Sequence, residues 1–112
     1  MATVYKVLGQ VDLQAQTLTT LYTVPSSTEA VISTVIVANR AAAATTFRLA
    51  VRPNGASIDD KHYIAYDVPI AANDSTTLTL GLTLDATDVL SVNAAGTASR
   101  LSFNAFGAEV AV

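Results

Sequence analysis

The chain has no cysteine and no tryptophan in its 112 residues, and only one histidine and one methionine. Without cysteine there can be no disulfide and no thiolate metal site, so folding does not depend on the redox compartment. With His62 as the single imidazole, paired-histidine metal motifs are excluded, and a serine nucleophile would have one base to choose from. Charge is also sparse, at 13% of residues, with six Lys and Arg against nine Asp and Glu for a net charge of -3. Nucleic-acid-binding domains cluster basic residues, and this composition runs the other way. The longest apolar run, Ala30 to Ala38, is interrupted by Ser33 and Thr34 and is too short to cross a bilayer as a helix. The opening M-A-T-V-Y-K-V-L-G-Q has no basic stretch followed by an apolar one, so no secretory signal is expected. No P-loop, G-x-G-x-x-G or G-x-S-x-G pattern occurs.

What the chain does have is alternation. From Ser75 to Leu84 it reads S-T-T-L-T-L-G-L-T-L, with leucine at 78, 80, 82 and 84 and threonine or glycine between. Successive side chains of a strand point to opposite faces, so this is a strand with a leucine face and a threonine face. Tyr5, Val7, Val11 and Leu13 share one parity near the N-terminus, with Gly9 marking a bulge. Leu18 to Val24 forms a second strand, ended by Pro25. Ala30 to Ala38 has the Val and Ile content of a central strand covered on both faces. Ala41 to Ala44 is too short for a stable helix and is assigned to a loop. Phe47, Leu49 and Val51 point inward, with Arg48 and Arg52 outward.

Pro53 to Lys61 is the longest polar loop, with a turn signal at Asn54-Gly55. His62 to Tyr66 is a short strand ended by Asp67-Val68-Pro69. Turns are expected at Ala71 to Asp74, Asp85 to Asp88 and Ala94 to Ser99, with a strand over Val89 to Val92. Leu101, Phe103 and Ala105 form a last inward row. The apolar parity then switches at Phe106-Gly107, which a bulge at Gly107 or a tail docked on a neighbour would explain. About eight strands with turn signals every 8–12 residues predict a single domain over residues 1–112. Its fold is an all-β, antiparallel, jelly-roll-like sandwich.

Candidate chemistry is confined to a few positions. Asp59, Asp60 and His62 could in principle hold a cation or move a proton, but adjacent carboxylates point different ways and no second histidine is available. No catalytic, metal or cofactor site is therefore assigned. Arg40, Arg48 and Arg52 are either solubilising charge or a salt-bridging patch toward an acidic partner, since arginine makes bidentate pairs and is enriched at interfaces. All four tyrosines lie in strand-like runs, where core packing is the usual fate. Tyr63 and Tyr66 have opposite parity, which would expose one of them beside the polar loop as a stacking platform for a ligand. The hydrophobic fraction of 51% is high for so small a domain. A domain of this size buries roughly 65% of its unfolded surface, so the remainder is either covered in part by other subunits, the favoured reading, or is the bland alanine and threonine surface of a monomer.

Several phrases resemble small virion structural proteins of tailed bacteriophages. They are the N-terminal M-A-T-V-Y-K-V-L-G-Q, then L-Y-T-V-P-S-S-T-E-A-V-I-S-T-V-I-V-A-N-R, T-T-F-R-L-A-V-R-P, K-H-Y-I-A-Y-D-V-P-I and L-T-L-G-L-T-L-D-A-T-D-V-L-S-V. The resemblance implies a non-enzymatic β-sandwich of the virion, assembled in the host cytoplasm. It implies a capsid cement or decoration protein that binds the major capsid protein, typically as a homotrimer, with no nucleic-acid or membrane partner. It offers no catalytic or ligand motif to carry over. The alternative within the same resemblance is a tail, baseplate or head-fibre component that binds a host-surface glycan. The N-terminal arm, residues 1–16, and the C-terminal segment, residues 106–112, are expected to dock on or exchange with neighbours.

Overall fold

The computed structural model describes residues 2–13, 17–94 and 100–112. Eight strands follow in order: β1 Thr3–Leu13, β2 Thr19–Thr23, β3 Thr28–Asn39, β4 Thr45–Arg52, β5 Tyr63–Ile70, β6 Ser75–Leu84, β7 Val89–Ala94 and β8 Leu101–Ala111. They form two four-stranded sheets, ordered β1-β8-β3-β6 and β2-β7-β4-β5, and every pairing is antiparallel. The chain is in effect one long hairpin with β4–β5 at its tip. Its successive pairs β4–β5, β3–β6, β2–β7 and β1–β8 are rolled into two layers, which is the jelly roll expected from the spacing of the strands. Short 3-10 turns at Pro53–Gly55 and Asp60–His62 fill the β4–β5 connection. The Ala41 to Ala44 connection is not helical. The expected turn at Ala94 to Ser99 lies, beyond Ala94, outside the described residues.

The core lies between the sheets. Phe47 and Phe103 meet edge to face at 6.1 Å, surrounded by Ile32, Val35, Val37, Leu49, Leu90, Val92 and Leu101, all buried. Asn39 is buried with them. Its amide nitrogen donates to the carbonyls of Ala43 and Ala71, and its Oδ1 accepts from the amide of Ala41. One buried side chain thus pins the alanine loop with every polar atom satisfied.

β3 is central, but it is not covered on both faces as its composition suggests. Ile32, Val35 and Val37 face the core, whereas Val31 and Ser33 are exposed. β5 does not end at Asp67. It runs on through Pro69, which a sheet edge tolerates because no ladder bond is needed on the outer side.

Bulges reset which residues face out. The register of β1 against β8 shifts between Val7 and Gly9, leaving Leu8 as the extra residue. Past that point Gly9, Val11 and Leu13 sit opposite the inward Ala105, Phe103 and Leu101. Before it, Val4 and Lys6 lie opposite Glu109 and Gly107. Tyr5 and Val7 therefore face outward, not into the core with Val11 and Leu13. β3 has a matching shift at Ser33, across from Phe106 and Gly107. The extra residues thus belong to the strands flanking β8, and β8 itself alternates without interruption. The apolar row from Phe106 onward is simply its outer face. Gly107 is needed for a different reason: a Cβ there would lie 1.9 Å from the carbonyl oxygen of Val31. In this structure residues 106–111 pair with β1 and β3 of their own chain.

Candidate interaction surfaces

The positions singled out in the sequence fall into separate places. Asp59 and His62 cap the 3-10 turn before β5. The Asp59 carboxylate accepts from the amide of Asp60 at 2.8 Å, and the Asp59 amide donates to Nδ1 of His62 at 3.0 Å. His62 is buried by this reciprocal capping, with its proton on Nε2 because Nδ1 accepts. Among the described residues no three His, Asp or Glu side chains are grouped so as to hold a metal ion.

The three arginines do not form one patch. Arg40 reaches over the β1–β8 sheet, where its Nε donates to the Ser102 hydroxyl at 2.8 Å and its Nη2 pairs with Asp12. Arg52 donates to the buried Ser91 hydroxyl and to the carbonyls of Gly55 and Ala56, which braces the loop after β4. Arg48 lies on the outer face of the other sheet and forms a two-point pair with Asp67, Nε to Oδ1 at 2.7 Å and Nη2 to Oδ2 at 3.3 Å. That bond to Asp67 raises the Arg48 pKa above its ordinary value.

Arg48 is also the centre of an aromatic shelf. Its guanidinium carbon lies 4.0 Å from the ring centre of Tyr66 and 6.0 Å from that of Tyr63, and the two rings meet edge to face at 5.0 Å. Opposite parity had placed these tyrosines on different faces. A register shift between Tyr63 and Ala65, with Ile64 as the extra residue, puts them on the same one. Together with Asp60 they line a shallow depression, and Tyr66 is 56% exposed. Core packing is the fate of Tyr22 alone among the tyrosines.

A second surface was hidden from the sequence by the bulge at Leu8. The outer face of the β1-β8-β3-β6 sheet carries two cross-strand rows set by the register. One is Tyr5, Ala108, Val31 and Thr83; the other is Val7, Phe106, Thr34 and Thr79. Tyr5 is 84% exposed, and Val7 and Val31 are exposed beside it. Ala108 is nearly covered, but by its outer neighbours and not by the core. The legible clue was the run Phe106, Ala108, Val110, which is readable as an apolar outer row only once Glu109 is known to point inward.

Glu109 does point inward. It accepts from the Tyr22 hydroxyl of the opposite sheet at 2.5 Å and from Lys6 at 3.3 Å. The Tyr22 bond, then Lys6, hold the Glu109 carboxyl below the usual range. Burial, then the bond to Glu109, push the Tyr22 phenol up.

No protein-family model matches the chain, and no curated protein is similar to it in sequence. Among solved structures it is similar to a chain of the acid-stable capsid of Helicobacter pylori bacteriophage KHP30, at 13% identity and a TM-score of 0.59 over 99% of this chain and 98% of that one. It also matches part of a chain from infectious bursal disease virus strain Gx, at 12% identity and a TM-score of 0.46 over 96% of this chain and 30% of the other. The first likeness spans both chains almost from end to end and shows a shared fold.

Proposed function

We propose that the protein is a structural component of a virus particle, and that it cements the capsid by binding the major capsid protein on the assembled shell. The observation that carries this reading is the outer face of the β1-β8-β3-β6 sheet. There Tyr5, Val7, Val31, Phe106 and Val110 form an apolar surface on a fully folded sandwich. Clustered exposed apolar side chains that include an aromatic are the make-up of a docking surface. The end-to-end likeness to a chain of a phage capsid supports the same reading.

The mechanism is linkage. A protein that binds the assembled shell and not its dissociated subunits stabilises the shell by mass action. None of this needs a catalytic group, a cofactor or a metal. The test is the copy number of this chain in purified particles, together with the heat resistance of particles lacking it. A copy number comparable to that of the shell subunit, and shells that release their contents at lower temperature without it, are the expected results. A few copies per particle, or unchanged shells, would refute cementing.

The Arg48–Tyr63–Tyr66 shelf favours one second reading, a tail, baseplate or head-fibre part that holds a host glycan. An exposed Tyr66 ring beside the Asp60 carboxylate offers stacking and hydrogen bonding at one spot. A glycan screen decides it: binding abolished by Tyr66→Ala supports this reading, and a blank screen removes it.

A further inference from the structure

Four strands end the two sheets, and three of them are blunted against further pairing. β1 bulges at Leu8 and carries Lys6 and Asp12. β2 is five residues long, shifts register at Thr20 and Tyr22, and lies close to β1, where a Cβ on Gly9 would come within 2.0 Å of the Leu21 carbonyl oxygen. β5 shifts register twice, carries Asp67 at positive φ, and contains Pro69. Charges, bulges, brevity and proline are the standard means by which sheets prevent edge-to-edge association.

β6 carries neither charge nor proline. Its ten residues, Ser75 to Leu84, are serine, threonine, leucine and glycine alone. Against β3 it has one residue more between Thr79 and Leu82, but its inward and outward side chains alternate unbroken through that shift, and unlike the other three edges it has no charge, proline or brevity to add to it. Its inward leucines at 78, 80 and 82 are only partly buried, because β6 ends one sheet and β5 ends the other at the same flank.

We infer that β6 pairs antiparallel with β6 of a second copy of this chain about a two-fold axis. Residues directly opposed in an antiparallel pair point to the same face, so self-pairing sets leucine against leucine and threonine or glycine against threonine. No charge opposes a like charge in any such register. The half-buried leucines of both copies then close over one another and extend the two cores into one. The ten residues of β6 offer an edge about 33 Å long for that pairing. A three-fold ring, which the family resemblance implies, would need β6 to find a different receptive edge, and β1, β2 and β5 are all blunted. The inference does not rest on the virion reading, and its failure would leave that reading intact.

The test uses the purified full chain. Sedimentation at about 100 µM, well above micromolar dissociation constants, is expected to give the mass of a dimer. Because the chain has no cysteine of its own, single cysteines can be placed at Thr77, Thr79, Gly81 and Thr83 and treated with a short bis-maleimide. Covalent dimers are expected there, and not from a control cysteine at the exposed Thr20 of β2. The Thr79→Lys, Thr83→Lys double variant is expected to sediment as a monomer with an unchanged melting temperature, since both side chains are exposed. A monomeric or trimeric mass for the natural chain, cross-linking as efficient at Thr20 as on β6, or a dimer that survives the double lysine variant would each overturn the inference.

Discussion

The phenol of Tyr22 on β2 donates to the carboxylate of Glu109 on β8 at 2.5 Å, and this bond ties the open end of one sheet to the other. Lys6 on the far side of Glu109 completes a short chain of three polar groups. The pH dependence follows from the two shifts. Glu109 titrates below its ordinary 4.5 in the folded chain, so its contribution to stability is present above that value and lost as pH falls through the lowered one. Tyr22 titrates above its ordinary 10.0, so its contribution is present below that value and lost as pH rises beyond it. Tyr22→Phe is expected to destabilise the chain by about 1–2 kcal/mol at neutral pH. It should also flatten both limbs of a stability-against-pH curve measured by urea unfolding. An unchanged acid limb would show that Glu109 takes its low pKa from elsewhere.

Two glycines on the sheets are fixed by contact and a third is not. A Cβ at Gly107 would meet the Val31 carbonyl oxygen at 1.9 Å and one at Gly9 the Leu21 carbonyl oxygen at 2.0 Å, and in both cases the obstacle is backbone. Alanine at either site forces strands apart and is expected to cost about 3 kcal/mol or more. Gly81 has nothing within 4 Å of its virtual Cβ, so Gly81→Ala should leave stability within about 0.5 kcal/mol. Thermal unfolding of the three variants side by side checks the order.

Much of this fold was legible in the sequence because alternation is a local signal. The β6 leucines, the Phe47–Val51 row and the turns at Asn54-Gly55, Asn73 and Thr87 are all readable within a few residues of chain. The effect of a bulge is not local. Gly9 marks the bulge in the sequence, but does not show that the extra residue turns Tyr5 and Val7 outward and Lys6 inward, because that depends on the register against β8, nearly a hundred residues away. The same holds at Ile64, where an extra residue against β4 brings Tyr63 and Tyr66 to one face. The inward turn of Glu109 is likewise not local, because its partner Tyr22 lies on the other sheet. The sequence candidates Arg48, Tyr63 and Tyr66 were read one by one and not as a group, and the Tyr5 face was not read at all, because both depend on register.

His62 offers a clean separation of structural and chemical roles. Its Nδ1 accepts the Asp59 amide while the ring is buried, so His62→Ala removes a reciprocal cap and leaves that amide without its partner. The expected loss is about 1–2 kcal/mol. Zinc added to the natural chain is expected to leave the melting temperature unchanged. A rise of several degrees on adding zinc, abolished in His62→Ala, would reopen the acidic loop as a metal site.

The two candidate docking surfaces sit on opposite sheets, so substitutions on one leave the other untouched. Tyr5 projects from the outer face of β1 with 84% of its surface exposed, and Tyr5→Ser removes apolar contact area without opening a cavity. Arg48 and Tyr66 are a paired cation and ring on the outer face of the β4–β5 hairpin. If the β1-β8-β3-β6 face meets the shell, Tyr5→Ser should weaken binding to particles lacking the protein by about tenfold or more, the usual effect of losing an exposed aromatic anchor. Tyr66→Ala should then bind such particles as the natural chain does. Both variants should melt close to the natural protein, because neither side chain is in the core. The reverse pattern, binding lost with Tyr66→Ala and kept with Tyr5→Ser, would move the shell contact to the aromatic shelf and leave the Tyr5 face for another neighbour.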